Sequence, residues 1–361
     1  MSIQPAPPLP PPAPELMAKV GEAIAAALNG DIRRGLTIAL ATHAKAREAH
    51  DLRAELAALN AASRCHSLNN NALAAMSSAI DALQLADRCA DTTAHAHALC
   101  AICSAAFSMR LLEEAEPILQ RALKEALETG DADLEARARL IHGENLGDLG
   151  RAAEAREQLL AAREAAGKTG IEGYVLRMDA RLGTLAGKRI RACLAAGDAA
   201  GLAIALDDGW TIAADVKPLA EASRNTTLAI SMCALQAQVL EQRGDSASAR
   251  EKFESAIQRA IKIAYLPAVA PWSLQLAAIE MRQGEPDAAR ATLEAAMRVA
   301  EGLRPTFRIA EVCAALAALE QSQGNARAAE QWRLRRDEEQ FLFRSEQSRA
   351  RAVLRAQRGT H

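Results

Sequence analysis

The chain has 361 residues, half of them hydrophobic but only 3% aromatic, and a formal charge of −2. Near-neutrality gives no global pull toward nucleic acid or an anionic membrane, and no run of about 18 uninterrupted apolar residues is available to cross a bilayer. The seven cysteines are odd in number and scattered through hydrophobic runs, which is not the framework of a disulfide-stapled secreted domain; they read as small core residues of a cytoplasmic protein.

Seven of the 13 prolines fall between Pro5 and Pro14. They fix backbone angles and remove amide donors, so residues 1–15 are expected to form an extended, disordered leader. From Leu16 a beat sets in. Turn signals recur at Asn29-Gly30-Asp31, Asn69-Asn70-Asn71, Met109-Arg110-Leu111, Leu149-Gly150-Arg151, Ala196-Gly197-Asp198, Arg243-Gly244-Asp245, Gln283-Gly284-Glu285 and Gln323-Gly324-Asn325. The spacing is 40 residues except for the two intervals flanking Gly197, which are 47. A fixed period of this size is the signature of a solenoid whose units bury their apolar faces against their neighbours.

Each turn is flanked by the same small side chains. Seven residues before its centre stand Ala23, Ser63, Cys103, Gly143, Ala237, Ala277 and Ala317, with Ile190 the exception. Five after it stand Gly35, Ala75, Ala115, Ala155, Ala249, Ala289 and Ala329, with Leu202 breaking the rule in the same unit. Larger residues such as Leu159 and Phe253 follow at nine, and Ala162 and Ala256 at twelve. Small residues at the first two places let the helices of a hairpin approach closely, and the later pair packs onto the next hairpin.

This arrangement resembles the tetratricopeptide repeat family, most clearly in Gly143, Ala155, Leu159 and Ala162 and in Ala237, Ala249, Phe253 and Ala256. It departs from the usual period of 34 and has few aromatics in the first helix, as in the longer repeats of kinesin light chains and bacterial signalling proteins. The resemblance implies an all-α, right-handed α-α superhelix of about eight hairpins over residues 16–325. Its irregular centre lies near 167–232, where the extra residues fall in Gly170–Arg191 and around Asp207–Thr227, and Pro218 should end or bend a helix. Residues 326–361 read as a long C-terminal capping helix and short tail, with eight Arg against four acids between Arg333 and Arg358.

No catalytic constellation is evident. His95, His97, Cys100 and Cys103 share a helix, but structural zinc sites draw their ligands from separate elements; a packed cysteine pair with exposed histidines is the expectation, with no metal and no cofactor. In the family that the pattern resembles, the first helices line a concave surface. By that register the partner-binding residues are Asn60, Arg64, His97, Arg137, Glu144, Asp148, Gln238 and Glu241, with Ser104 of the same type. Arg177, Arg181, Lys188 and Arg191 add a basic stripe beside the acidic Glu144 and Asp148, either salt-bridged to them or open to an anionic ligand through bidentate hydrogen bonds. Tyr265, Trp272 and Trp332 are candidate anchors for a bound segment.

The function that follows is a non-enzymatic adaptor taking a peptide or helix of a protein partner in its groove. The alternative is a regulator whose superhelix geometry responds to a peptide or small anionic ligand. Nucleic-acid binding rests only on the Arg-rich end and ranks behind both, and the capping helix offers a place for a second copy.

Overall fold

The structure, a computed structural model, describes residues 10–28, 31–68, 71–171, 173–303 and 306–358. The predicted turns at Asn29-Gly30 and Asn69-Asn70, most of the proline-rich leader and the last three residues lie outside these ranges. Among the described residues there are sixteen α-helices, one short 3-10 turn and no strand. None of these helices is long and apolar enough to cross a membrane. Contacts divide the chain into two compact units: residues up to Ile141 together with those from Gln347 onward, and His142–Glu346.

The first unit holds α1 (Pro14–Leu28), α2 (Ile32–Glu48), α3 (Leu52–Leu68), α4 (Ala72–Cys89), α5 (Thr92–Ser108) and α6 (Leu112–Thr129). The unit boundary falls within α7 (Ala132–Asp148). The second unit continues with α8 (Ala152–Lys168), α9 (Tyr174–Ala196), α10 (Ala199–Ala222), α11 (Thr226–Gln242), α12 (Ser246–Lys262), α13 (Val269–Arg282), α14 (Pro286–Glu301) and α15 (Arg308–Ser322), and α16 (Ala326–Arg358) follows. Consecutive helices pair as antiparallel hairpins. Next-but-one contacts join α1 to α3 and α3 to α5 in the first unit, and α9 to α11, α11 to α13 and α13 to α15 in the second. Within each unit the first helices of successive hairpins therefore form one layer, the inner one, and the second helices form the other.

The turns predicted from sequence close with left-handed backbone at Arg110, Gly150, Gly197, Gly244, Gly284 and Gly324. At several of them the following residue caps the next helix: Asp198 accepts from the Gly201 amide and Asp245 from the Ser248 amide, satisfying donors that a helix start leaves open. The paired small residues touch as the columns require. Ser63 Oγ donates to the Ala75 carbonyl at 2.8 Å, and a Cβ on Gly143 would lie 3.1 Å from the Ala155 carbonyl oxygen and 2.9 Å from Leu159 Cγ. Behind these contacts Leu119, Leu159 and Phe253 are almost wholly buried.

The long intervals around Gly197 have a simple structural form. α9 and α10 run for 23 and 24 residues where their neighbours run for 17 or 18. Counted on the regular 40-residue beat from either side, the small-residue positions of this hairpin are Gly183 and Gly209, which are buried. A Cβ at Gly183 would stand 3.2 Å from Ile212, a close approach, while one at Gly209 would make ordinary contact with Ile190. Ile190 and Leu202, which break the pattern when counted from Gly197, belong instead to a symmetric extension of seven residues at the end of each helix. The hairpin is thus a regular one whose tip is about two turns, or roughly 10 Å, longer. Pro218 does not end α10, which continues to Ala222. It lies within the last turn and a half, so only one amide-to-carbonyl bond of the helix is lost to it.

Candidate functional site

In the first unit the predicted residues lie on α3, α5 and α7. Asn60, Arg64, His97 and Arg137 are each half-buried. Asn60 Oδ1 is shut off from water without a hydrogen-bond partner. The His97 pKa is pushed below the ordinary histidine range, first by burial and then by the Arg137 guanidinium, against the opposing pull of Asp131, Asp133 and Asp91. Ser104 Oγ is used internally, donating to the Cys100 carbonyl at 3.0 Å. His66, which the sequence reading passed over, has a buried Nδ1 with no partner and a pKa lowered by burial.

The expectation of exposed histidines beside a cysteine pair is corrected here. His95 is 5% exposed and sits between Glu125 at 2.5 Å, Arg121 at 3.1 Å and Asp87 at 3.3 Å. The sequence could not show this, because Glu125 and Arg121 come from the neighbouring helix α6. Cys100 and Cys103 are buried, and burial raises the Cys100 thiol to about 11. A thiol held that high is a packing residue rather than a nucleophile. No cluster of three or more metal-ligating side chains occurs among the described residues.

The same unit includes the end of α16. Gln347 Nε2 donates to the Met109 carbonyl at 2.8 Å, Arg351 Nε lies 2.6 Å from Glu114 Oε1, and Ala350 and Leu354 are buried. The last turns of the C-terminal helix are therefore packed within their own chain.

In the second unit the inner helices sort the predicted stripe into paired and unpaired members. Asp148 and Lys188 occupy the same repeat column, 40 residues apart, and meet at 2.6 Å across neighbouring inner helices. Glu144 and Arg181 meet at 3.0 Å, and this carboxylate is the main reason that the Arg181 pKa is raised. Arg177 lies over the Tyr174 ring at 5.6 Å. Gln238 is 7% exposed and donates to the Gly187 carbonyl at 3.0 Å, and Glu241 is paired with Arg282 of the next inner helix.

Arg191 differs from all of these. It is solvent-exposed, and no carboxylate lies within ion-pair distance of it among the described residues. Its pKa is held down by the crowding of surrounding helices and by Arg308, while Asp148 and Glu311 pull the other way. Arg308 and Glu311 belong to α15, three hairpins further along. The inner layer of this unit thus brings α9 and α15 within electrostatic reach, and the extension of α9 is the element that carries Arg191 there. Buried polar atoms on the same layer, Arg181 Nε, Glu241 Oε2 and Glu280 Oε2, also have no partner.

The candidate aromatic anchors are half-buried and pack against the core. Tyr265 and Trp272 form an edge-on pair at 6.1 Å against the α11–α13 core, and Trp332 packs against the α13–α15 core beneath Arg335. Arg308 and Glu311 were not singled out from sequence. Only the curvature of the layer makes them neighbours of Arg191.

No protein-family profile matches the chain, and no curated protein matches it in sequence. Its fold, in contrast, is shared with solved structures. The apo form of RapI superposes with a TM-score of 0.59 at 12% identity, covering 80% of this chain and 99% of that one. A Rap protein complexed with Competence and Sporulation Factor gives 0.60 at 10% identity, covering 93% and 100%. The Rap conjugation gene regulator of the plasmid pLS20, in complex with the Phr* peptide, gives 0.60 at 14% identity, covering 96% and 99%. These likenesses show the fold, a tetratricopeptide-like repeat of helical hairpins.

Proposed function

We propose that the chain is a peptide-binding adaptor or regulator, and that the inner face of the second unit takes a peptide segment carrying at least one carboxylate. The observation that carries this is Arg191: an exposed guanidinium without an ion pair on the inner layer, where Glu144, Asp148, Arg181, Lys188 and Glu241 are ion-paired and Arg177 lies over the Tyr174 ring. Bidentate hydrogen bonding from Arg to a carboxylate fits such a position. The unpartnered Arg181 Nε and Glu241 Oε2 add support, because a buried polar atom left unbonded costs about 1–3 kcal/mol and a bound peptide backbone supplies both donors and acceptors. Two of the solved structures that share the fold are complexes, one with Competence and Sporulation Factor and one with the Phr* peptide. The fold alone leaves the partner open, so the reading stands on the charges.

The test is selection of ligands from a random linear peptide library against the full chain, followed by affinity measurement. Arg191→Glu should weaken a selected peptide about tenfold or more, near 1.4 kcal/mol, while Arg259→Ala on the second helix α12 should leave it unchanged. Equal loss in both variants, or none in Arg191→Glu, refutes the assignment.

A further inference from the structure

The second helices carry a repeated charge pair that links neighbouring hairpins. Arg250 of α12 reaches Glu280 of α13 at 3.9 Å, and Arg290 of α14 is paired with Glu320 of α15. In both cases the arginine stands six residues after a turn centre and the glutamate 30 residues later. The glutamates are 3% and 2% exposed, so each buried carboxylate has an arginine of the neighbouring hairpin beside it, with Arg250 also held by Glu254 and Glu285.

Arg156 of α8 occupies the same position after Gly150, and 30 residues on stands Ala186. The carboxylate is missing. In its place is a cavity of about 270 Å³ among α8, α9 and α10, lined by Arg156, by Ala186 itself, by the ion-paired Arg189 and Asp208 (2.8 Å), and by the apolar side chains of Leu182, Leu185 and Ile212. Asp208 is engaged by Arg189, and Arg156 has no carboxylate partner among the described residues. The cavity therefore combines one uncompensated guanidinium with an apolar wall. It lies slightly below the ~300–1,000 Å³ that drug-sized ligands occupy.

We infer that this cavity binds a small carboxylic acid with a compact apolar body, whose carboxylate takes the place on Arg156 that Glu280 and Glu320 take on Arg250 and Arg290. The cavity lies between α9 and the second helices α8 and α10 and uses none of the residues named in the peptide reading, so the two stand or fall separately.

The experiment uses saturation-transfer NMR on the full chain with isovalerate, hexanoate and benzoate, their neutral amides, and N-acetyl-glutamic acid amide at constant ionic strength. The acids should receive saturation and the amides should not. Arg156→Gln should weaken binding of the acids about tenfold or more. Ala186→Glu, which reinstates the missing carboxylate, should abolish binding and raise the melting temperature. Acids and amides binding alike, acid binding that survives both substitutions, or no acid binding at millimolar concentration overturns the proposal. Binding of N-acetyl-glutamic acid amide alone would assign the position to a protein side chain and equally contradict a free acid.

Discussion

Glu280 shows what the inter-hairpin pairs involve at the level of one residue. Thr292 Oγ1 donates to its Oε1 at 3.2 Å, Arg250 stands at 3.9 Å, and Oε2 is buried without a partner. Burial outweighs both attractions and raises the carboxyl pKa above its ordinary value. The folded chain therefore holds a proton that the unfolded chain has already released. Stability should fall as pH rises from the ordinary glutamate value through the raised one, and the loss is complete above that window. Urea midpoints measured at mildly acidic and neutral pH should show Glu280→Gln gaining on the wild type as pH rises. A wild type that gains on the variant instead would mean that Arg250 already compensates the buried charge. These pairs were legible in principle, since Arg and Glu recur 30 residues apart, but they join two different hairpins and a reading organised around each turn separates them.

At the scale of the helical element, close approach and helix propensity oppose each other at Gly35 in α2. A Cβ there would stand 2.6 Å from the Ala23 carbonyl oxygen and 3.0 Å from Ala27 Cβ. Gly35→Ala gains up to about 1 kcal/mol of intrinsic helix preference, but the clash is with backbone, and overpacking of this kind costs about 1–3 kcal/mol. The net expectation is a loss of up to about 3 kcal/mol in chemical denaturation; an increase would mean that α1 and α2 can part without cost.

The longer hairpin offers a second test at this scale. Removing residues 190–196 together with 199–205 leaves Gly197-Asp198 as the turn and returns α9 and α10 to the 40-residue beat. The shortened chain should keep cooperative helical unfolding, and collapse to a non-cooperative helical state would contradict the symmetric-extension reading. Sequence showed that something was inserted around Gly197. It misplaced the insertion, because counting from the observed turn shifts both small-residue columns by seven positions and makes Ile190 and Leu202 look anomalous. Four of the turns between hairpins were also hidden, since His50, Ala90, Arg224 and Ala264 adopt positive φ where glycine is the residue that would have announced the turn.

At the scale of the whole chain, the small-residue columns made the fold readable because a repeat states its packing rule several times, and each unit buries its core by the same contacts. The candidate site was readable only in part. Columns identified which residues belong to the inner layer, and adjacent repeats even supplied the pairing of Asp148 with Lys188. They could not reveal that Arg308 and Glu311 share the surroundings of Arg191, since that proximity accumulates from small rotations over three hairpins. The most direct measurement is amide hydrogen exchange on the full chain with and without a peptide selected from the random library. Added protection on α9, α11 and α15 in the second unit is the predicted result. Protection confined to the second helices α10, α12 and α14, or protection that persists unchanged in Arg191→Glu, would contradict an inner-face site organised by Arg191.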